Sequence, residues 1–142
     1  MKMKYYFVIL FLILAIFLSG CSGVTTPILE VNQEEVVKEI VANYWIALSN
    51  RQYELAKTYC VPNGKAYQAV EEYQSMPYFG SITIVFTSYI NWVEITGNNA
   101  TVNTNITINV TVCFEDICSD ESETLSNYSM DLTKSNGAWK LK

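Results

Sequence analysis

The sequence predicts an α+β domain in which N-terminal helices pack on one face of a curved, mainly antiparallel four-stranded sheet. Three observations carry this reading. Apolar side chains recur at helical spacing between residues 36 and 48. After Gly80 the period changes to two, and turn signals divide the remainder into four consecutive strands. Helices followed by an unbroken run of strands describe an α+β layer rather than alternating units around a parallel sheet. At 142 residues the chain suits one such domain.

Each element has its own local reason. Asn32-Gln33-Glu34-Glu35 places an N-cap residue three positions before a glutamate, a capping-box-like start. Val36, Val37, Ile40, Val41, Tyr44, Trp45 and Leu48 then form the stripe of a helix burying one face. Asn50-Arg51 ends it, and a second short helix carries Tyr53, Ala56 and Tyr59 to Cys60. Val61-Pro62-Asn63-Gly64 is turn chemistry, followed by a third helical piece from about Lys65 to Gln74. Ser81 to Thr96 is β-branched and aromatic, closing at Gly97-Asn98. Across 101–114 the apolar side chains fall on even positions and the polar ones on odd positions, save for Thr104 and Cys113. That is the pattern of a strand covered on one side. A third strand runs through Leu125 to Leu132, and Ser135-Asn136-Gly137 turns into a final strand at Ala138–Lys142.

Charge and composition exclude several functions. Beyond residue 20, seven basic residues face fourteen acidic ones, which argues against a nucleic-acid partner. Histidine is absent, so Ser-His-Asp and Cys-His catalysis and His-ligated zinc are removed together. The two thiols of Cys113-Phe-Glu-Asp-Ile-Cys118 would underligate a tetrahedral metal, and no cofactor or metal is expected. These two cysteines face each other across a four-residue hairpin loop, at bridging distance. The favoured disulfide is therefore Cys113–Cys118, with Cys60 buried and free. Cys60 paired with either of them, or three reduced thiols, are the alternatives.

The start of the chain reads as an anchor. Lys2 and Lys4 precede an apolar run, Tyr5 to Leu18, which is short of the roughly 20 residues of a spanning helix. Leu18-Ser19-Gly20-Cys21 resembles the lipobox of prokaryotic lipoproteins. That resemblance implies a signal peptide over 1–20, lipidation of Cys21 and a flexible tether over 21–31. The domain over 32–142 would then be held at the extracytoplasmic face of the cell membrane.

Four Asn-X-Ser/Thr sequons begin at Asn99, Asn105, Asn109 and Asn127, against about two expected by chance from the composition. Asn99, Asn105 and Asn109 share the predicted solvent face of the second strand and are candidate glycosylation sites, as is Asn127.

The element order, the early Tyr44-Trp45 helix, the Asn50–Cys60 stretch and the closing Gly137-Ala-Trp-Lys-Leu141 resemble the NTF2-like (cystatin-like cone) superfamily over residues 33–142. The resemblance implies a cone-shaped pocket between helices and sheet. Tyr44, Trp45, Tyr53, Tyr67, Tyr73, Tyr89 and Trp92 are candidate lining residues, suited to an apolar or sugar-like ligand. The expected function is a non-enzymatic, lipid-anchored binding or accessory domain, acting as a monomer or weak homodimer. One alternative is a small-molecule lyase or isomerase of the polyketide-cyclase-like branch. Glu94 would be its inward carboxylate, since it shares parity with Ile82, Ile84, Phe86, Ile90 and Trp92. The other alternative is a structural module that binds an envelope protein.

Overall fold

The computed structural model describes residues 32–76, 81–115 and 117–142. The expected signal, Cys21 and the tether lie outside them. Three helices, α1 (Gln33–Ser49), α2 (Tyr53–Thr58) and α3 (Lys65–Ser75), precede four strands: β1 (Ser81–Thr96), β2 (Asn99–Phe114), β3 (Ile117–Ser135) and β4 (Ala138–Leu141). The strands form one antiparallel sheet in the order β1-β2-β3-β4. This is the NTF2-like arrangement: helices against one face of a curved sheet.

Helix α1 begins as its sequence predicts, with the Asn32 side chain accepting from the Glu34 N–H at 3.1 Å. Lys38 pairs with Glu34 at 2.7 Å on the exposed side, while Val37, Val41, Tyr44, Trp45, Ala47 and Leu48 are buried. The helix stops where Arg51 takes a left-handed backbone, φ 56°. Its last turn also holds the sheet. The Phe86 N–H donates to Ser49 Oγ at 2.8 Å, and the Arg51 guanidinium donates to the Ile82 carbonyl.

The chain between α2 and α3 is pinned by the last strand. Leu141 N–H donates to the Tyr59 carbonyl at 2.9 Å, and Ala66 N–H to the Lys142 carbonyl at 2.9 Å. Gly64 stands at this crossing. A Cβ there would lie 3.0 Å from the Lys142 carbonyl carbon and 3.1 Å from the Val61 oxygen, so a side chain would force the two segments apart. At the far end Gln33 Oε1 accepts from Trp139 Nε1 at 3.0 Å and Lys134 Nζ at 3.1 Å, tying β4 to α1.

Two bulges bend the sheet, one on either side of the same part of β2. Asn91 is the extra residue between Ile90, opposite Thr104, and Trp92, opposite Asn103. On the other flank Ser126 and Asn127 together oppose Asn105, with Asn127 at φ 56°. Bulges sharpen local bend and twist, and a pair at one level curls the sheet around the helices. Side chains satisfy the disturbed ladder. Asn91 Nδ2 donates to Asn103 Oδ1 at 2.7 Å and to Asn105 Oδ1 at 3.1 Å, and Asn105 Oδ1 also accepts from the Asn127 N–H at 2.9 Å.

The first bulge corrects the parity expected for β1. Beyond Asn91 the apolar, helix-facing side chains are Val93 and Ile95, whereas Trp92 and Glu94 are exposed on the opposite face. The inserted residue reverses the alternation, so even positions face the helices only as far as Ile90. The third strand is also longer than expected. It starts at Ile117, through a polar stretch with no helix over it and hence no alternating pattern to read.

Candidate functional site: an aromatic cone

A cavity of about 870 Å³ opens between the helices and the concave side of the sheet. Its helical wall is Tyr44 and Trp45 from α1 and Ala66, Ala69 and Tyr73 from α3, and its sheet wall includes Phe86, Ile106, Ile108, Leu125, Tyr128 and Met130. The room comes from sequence: α3 turns two alanines toward the cavity, and Gly64 closes its end. Tyr44 meets Trp45 edge-on at 5.1 Å, Trp45 lies 5.1 Å from Phe86, and Tyr73 meets Phe86 edge-on at 5.5 Å. The aromatic wall is therefore interlocked rather than a set of independent rings.

Two polar groups in this wall are unusual. The Trp45 indole N–H is buried and has no hydrogen-bond partner among the described residues. Burial of Tyr44, with smaller contributions from Cys60, Tyr128 and Tyr73, raises its phenol well above the ordinary 10.0, so it stays a neutral hydroxyl. Among the described residues lining the cavity, Asp131 carries the acidic side chain. It accepts from Thr101 Oγ1 at 3.0 Å, a bond across the outward-facing Thr101–Asp131 pair. Cys60 behind Tyr44 is a free thiol that burial pushes up to about 11, against the small lowering effect of Lys140. Such a thiol is a packing residue rather than a nucleophile. No group of acidic or cysteine side chains able to hold a metal occurs among the described residues.

Of the residues expected to line the cone, Tyr44, Trp45 and Tyr73 do so. Tyr53 borders a separate shallow cleft with Arg51 and Gln74. Tyr67 is half-buried beside Lys57, whose Nζ lies 5.5 Å from its ring centre. Tyr89 and Trp92 stand on the convex face, 71% and 48% exposed, and Glu94 is exposed there with them. The residues that sequence reasoning missed are the sheet wall. The even-position stripe of β2 contained Ile106 and Ile108, but nothing local distinguishes an apolar residue facing a cavity from one facing a helix.

The disulfide is Cys113–Cys118, joining directly opposed residues of β2 and β3. Asn99, Asn109 and Asn127 are exposed, and Asn105 is half-buried within the bulge network.

Helices closing an apolar cone over a bent antiparallel sheet make an NTF2-like fold. Solved structures agree with the fold. A ketosteroid isomerase-like protein from Erwinia carotovora atroseptica matches over 78% of this chain and 92% of its own, with a TM-score of 0.58 at 14% identity. The intermembrane space region of the chloroplast protein ARC6 covers 77% of this chain and 92% of its own, with a TM-score of 0.57 at 13% identity. A scytalone dehydratase-like protein from Novosphingobium aromaticivorans matches over 76% and 78%, with a TM-score of 0.50 at 16% identity. No family model and no curated protein matches the sequence.

Proposed function

We propose that this protein is a lipid-anchored cell-envelope lipoprotein whose NTF2-like domain binds a small, largely apolar or sugar-like molecule in the cone without transforming it. The observation that carries the proposal is the open cavity of about 870 Å³, well above the roughly 300 Å³ that a small-molecule site requires. Its aromatic wall suits flat or aliphatic surfaces. The neutral Tyr44 hydroxyl offers a donor to an acceptor on the ligand, and small movements of the wall would bring the unpartnered Trp45 N–H into play.

The lyase or isomerase alternative draws on the ketosteroid isomerase-like and scytalone dehydratase-like neighbours. It needs a base inside the cone, which the Tyr44 phenol, held neutral by burial, does not supply. Glu94 lies on the other side of the sheet, and the Asp131 carboxylate is engaged by Thr101. Those positions support binding without chemistry. The anchor rests on the lipobox resemblance at Cys21; no helix among the described residues is long and apolar enough to cross a membrane.

Two measurements test the proposal. Intact mass of protein extracted from native membranes should correspond to a chain starting at Cys21 plus a diacylglyceryl-sized increment; a mass retaining residues 1–20 without lipid would remove the anchor. Titration of residues 32–142 with an anilinonaphthalene dye should enhance its fluorescence at about one site. Ala69→Phe, which places a ring in the cavity, should weaken that signal severalfold while the melting temperature holds. Unchanged dye binding by this variant would place the site elsewhere.

A further inference from the structure

The two edges of the sheet are treated differently. The free edge of β1 is met by α1: Ser49 Oγ bonds the Phe86 backbone and Arg51 reaches the Ile82 carbonyl. The free edge of β3 is covered only at its end. β4 pairs with Leu132–Ser135, and the Lys142 N–H donates to the Asp131 carbonyl. Upstream, residues 117–124 are all exposed, and no strand among the described residues pairs with their outer side. This stretch is ordered from within, by its ladder to β2 and by the Cys113–Cys118 bridge at the tip.

Its charge is one-sided. No lysine or arginine occurs between Lys65 and Lys134, a span with nine acidic residues. Asp120, Glu121 and Glu123 lie on the open strand itself. Glu121 and Glu123 share the concave face with Ile117, while Phe114 and Val112 stand beside them on β2. Phe114 and Ile117 are 74% and 78% exposed. Antiparallel pairing with a second copy in registers centred on residues 120–122 would bring these acidic residues against one another, and like charges opposed across a ladder destabilise it. The same charges favour a strand of opposite sign.

We infer that the free edge of β3 over residues 117–124 is a docking site for an extended segment of another protein with a basic residue at every second position. The segment adds a fifth strand. Main-chain hydrogen bonds hold it, and its basic side chains, which share one face of the added strand, meet Glu121 and Glu123. Because the disulfide-closed arm is already extended, little ordering is required of this side of the complex.

The test uses the full chain in nanodiscs of zwitterionic lipid, with a ten-residue peptide of alternating lysine and valine and the same peptide N-methylated at every residue. Amide hydrogen exchange is followed by mass spectrometry. The parent peptide should slow exchange across 117–124 by about tenfold or more, and the methylated one, equal in charge but without ladder donors, should not. Glu121→Lys/Glu123→Lys should weaken binding at least tenfold. Equal protection by both peptides, protection outside β3, or protection by neither overturns the proposal. So does a concentration-dependent dimer of the protein alone that protects 117–124.

Discussion

The three long strands have two halves that differ in everything except backbone pairing. On the β4 side of the bulges, Val102, Met130 and Leu132 lie against the helices and are almost fully buried. On the far side the same strands run on past the helices, so that Val112, Phe114 and Ile117, on the same concave face, end up 41–78% exposed. The alternation of apolar and polar residues along β2 does not change between these halves. The comparison teaches that a strand pattern reports which face is apolar, and not whether anything covers it. Helix α1 is 17 residues long, and near its end Trp45 and Ser49, with Arg51 just beyond it, meet β1. Beyond that reach the sheet has to be stabilised by other means.

The largest effect that tests this contrast comes from two truncations on one face. Leu132→Ala removes a side chain with no exposed area and should cost about 2–5 kcal/mol in urea unfolding of the domain. Phe114→Ala, a larger truncation at a position 74% exposed, should change stability by less than about 0.5 kcal/mol. A comparable loss from Phe114 would mean that the arm packs against something in solution, and that the two halves are less different than their exposure says.

Next in size is the disulfide. Closing so short a loop restricts the open chain by about 2 kcal/mol in the chain-entropy picture. The bridged residues sit at the outer end of the uncovered half, so the loss in Cys113→Ser/Cys118→Ser should be local. Exchange should accelerate across 107–122 while the midpoint of global unfolding barely moves. A fall in global stability of the full amount would show instead that the arm unfolds only together with the core.

The sequence carried much of this unevenly. The cap at Asn32, the stripe of α1, the three turns and the even-position stripe of β2 were legible because each is a local signal matched to a local cause. The phase reversal at Asn91 was harder. Its trace is the move of apolar residues from Ile84, Phe86 and Ile90 to Val93 and Ile95, but Trp92 is itself large and apolar and masks the switch. Glu94 followed Trp92 to the wrong face for that reason. Residues 117–124 gave no strand signal, because a strand that nothing covers has no buried face to conserve an alternation. The cone was half legible. Tyr44, Trp45 and Tyr73 lie on helices whose faces can be read, whereas Leu125, Tyr128 and Met130 reach it only through the sheet's bend.

The smallest effect tests the boundary itself. Asn105 Oδ1 accepts from the Asn127 N–H at 2.9 Å and from Asn91 Nδ2 at 3.1 Å, so one oxygen links both bulges. Asn105→Ala removes that acceptor at a half-buried position and should cost about 1 kcal/mol. Asn105→Asp retains an acceptor oxygen and should recover most of the loss, measured by the same unfolding curves. If Asp is as damaging as Ala, the carboxamide's N–H groups or its packing matter more than the bond to Asn127, and the bulges are held by the ladder alone. The pair also bears on the sequons. A glycan on Asn105 would have to be built on a side chain already engaged by both bulges, while Asn99 and Asn109 present exposed amides on either side of it. Glycopeptide mapping of protein from its native membranes should therefore find Asn99 and Asn109 modified ahead of Asn105. Full occupancy at Asn105 would require the bulge network to open without loss, and that outcome would contradict the cost expected for the alanine variant.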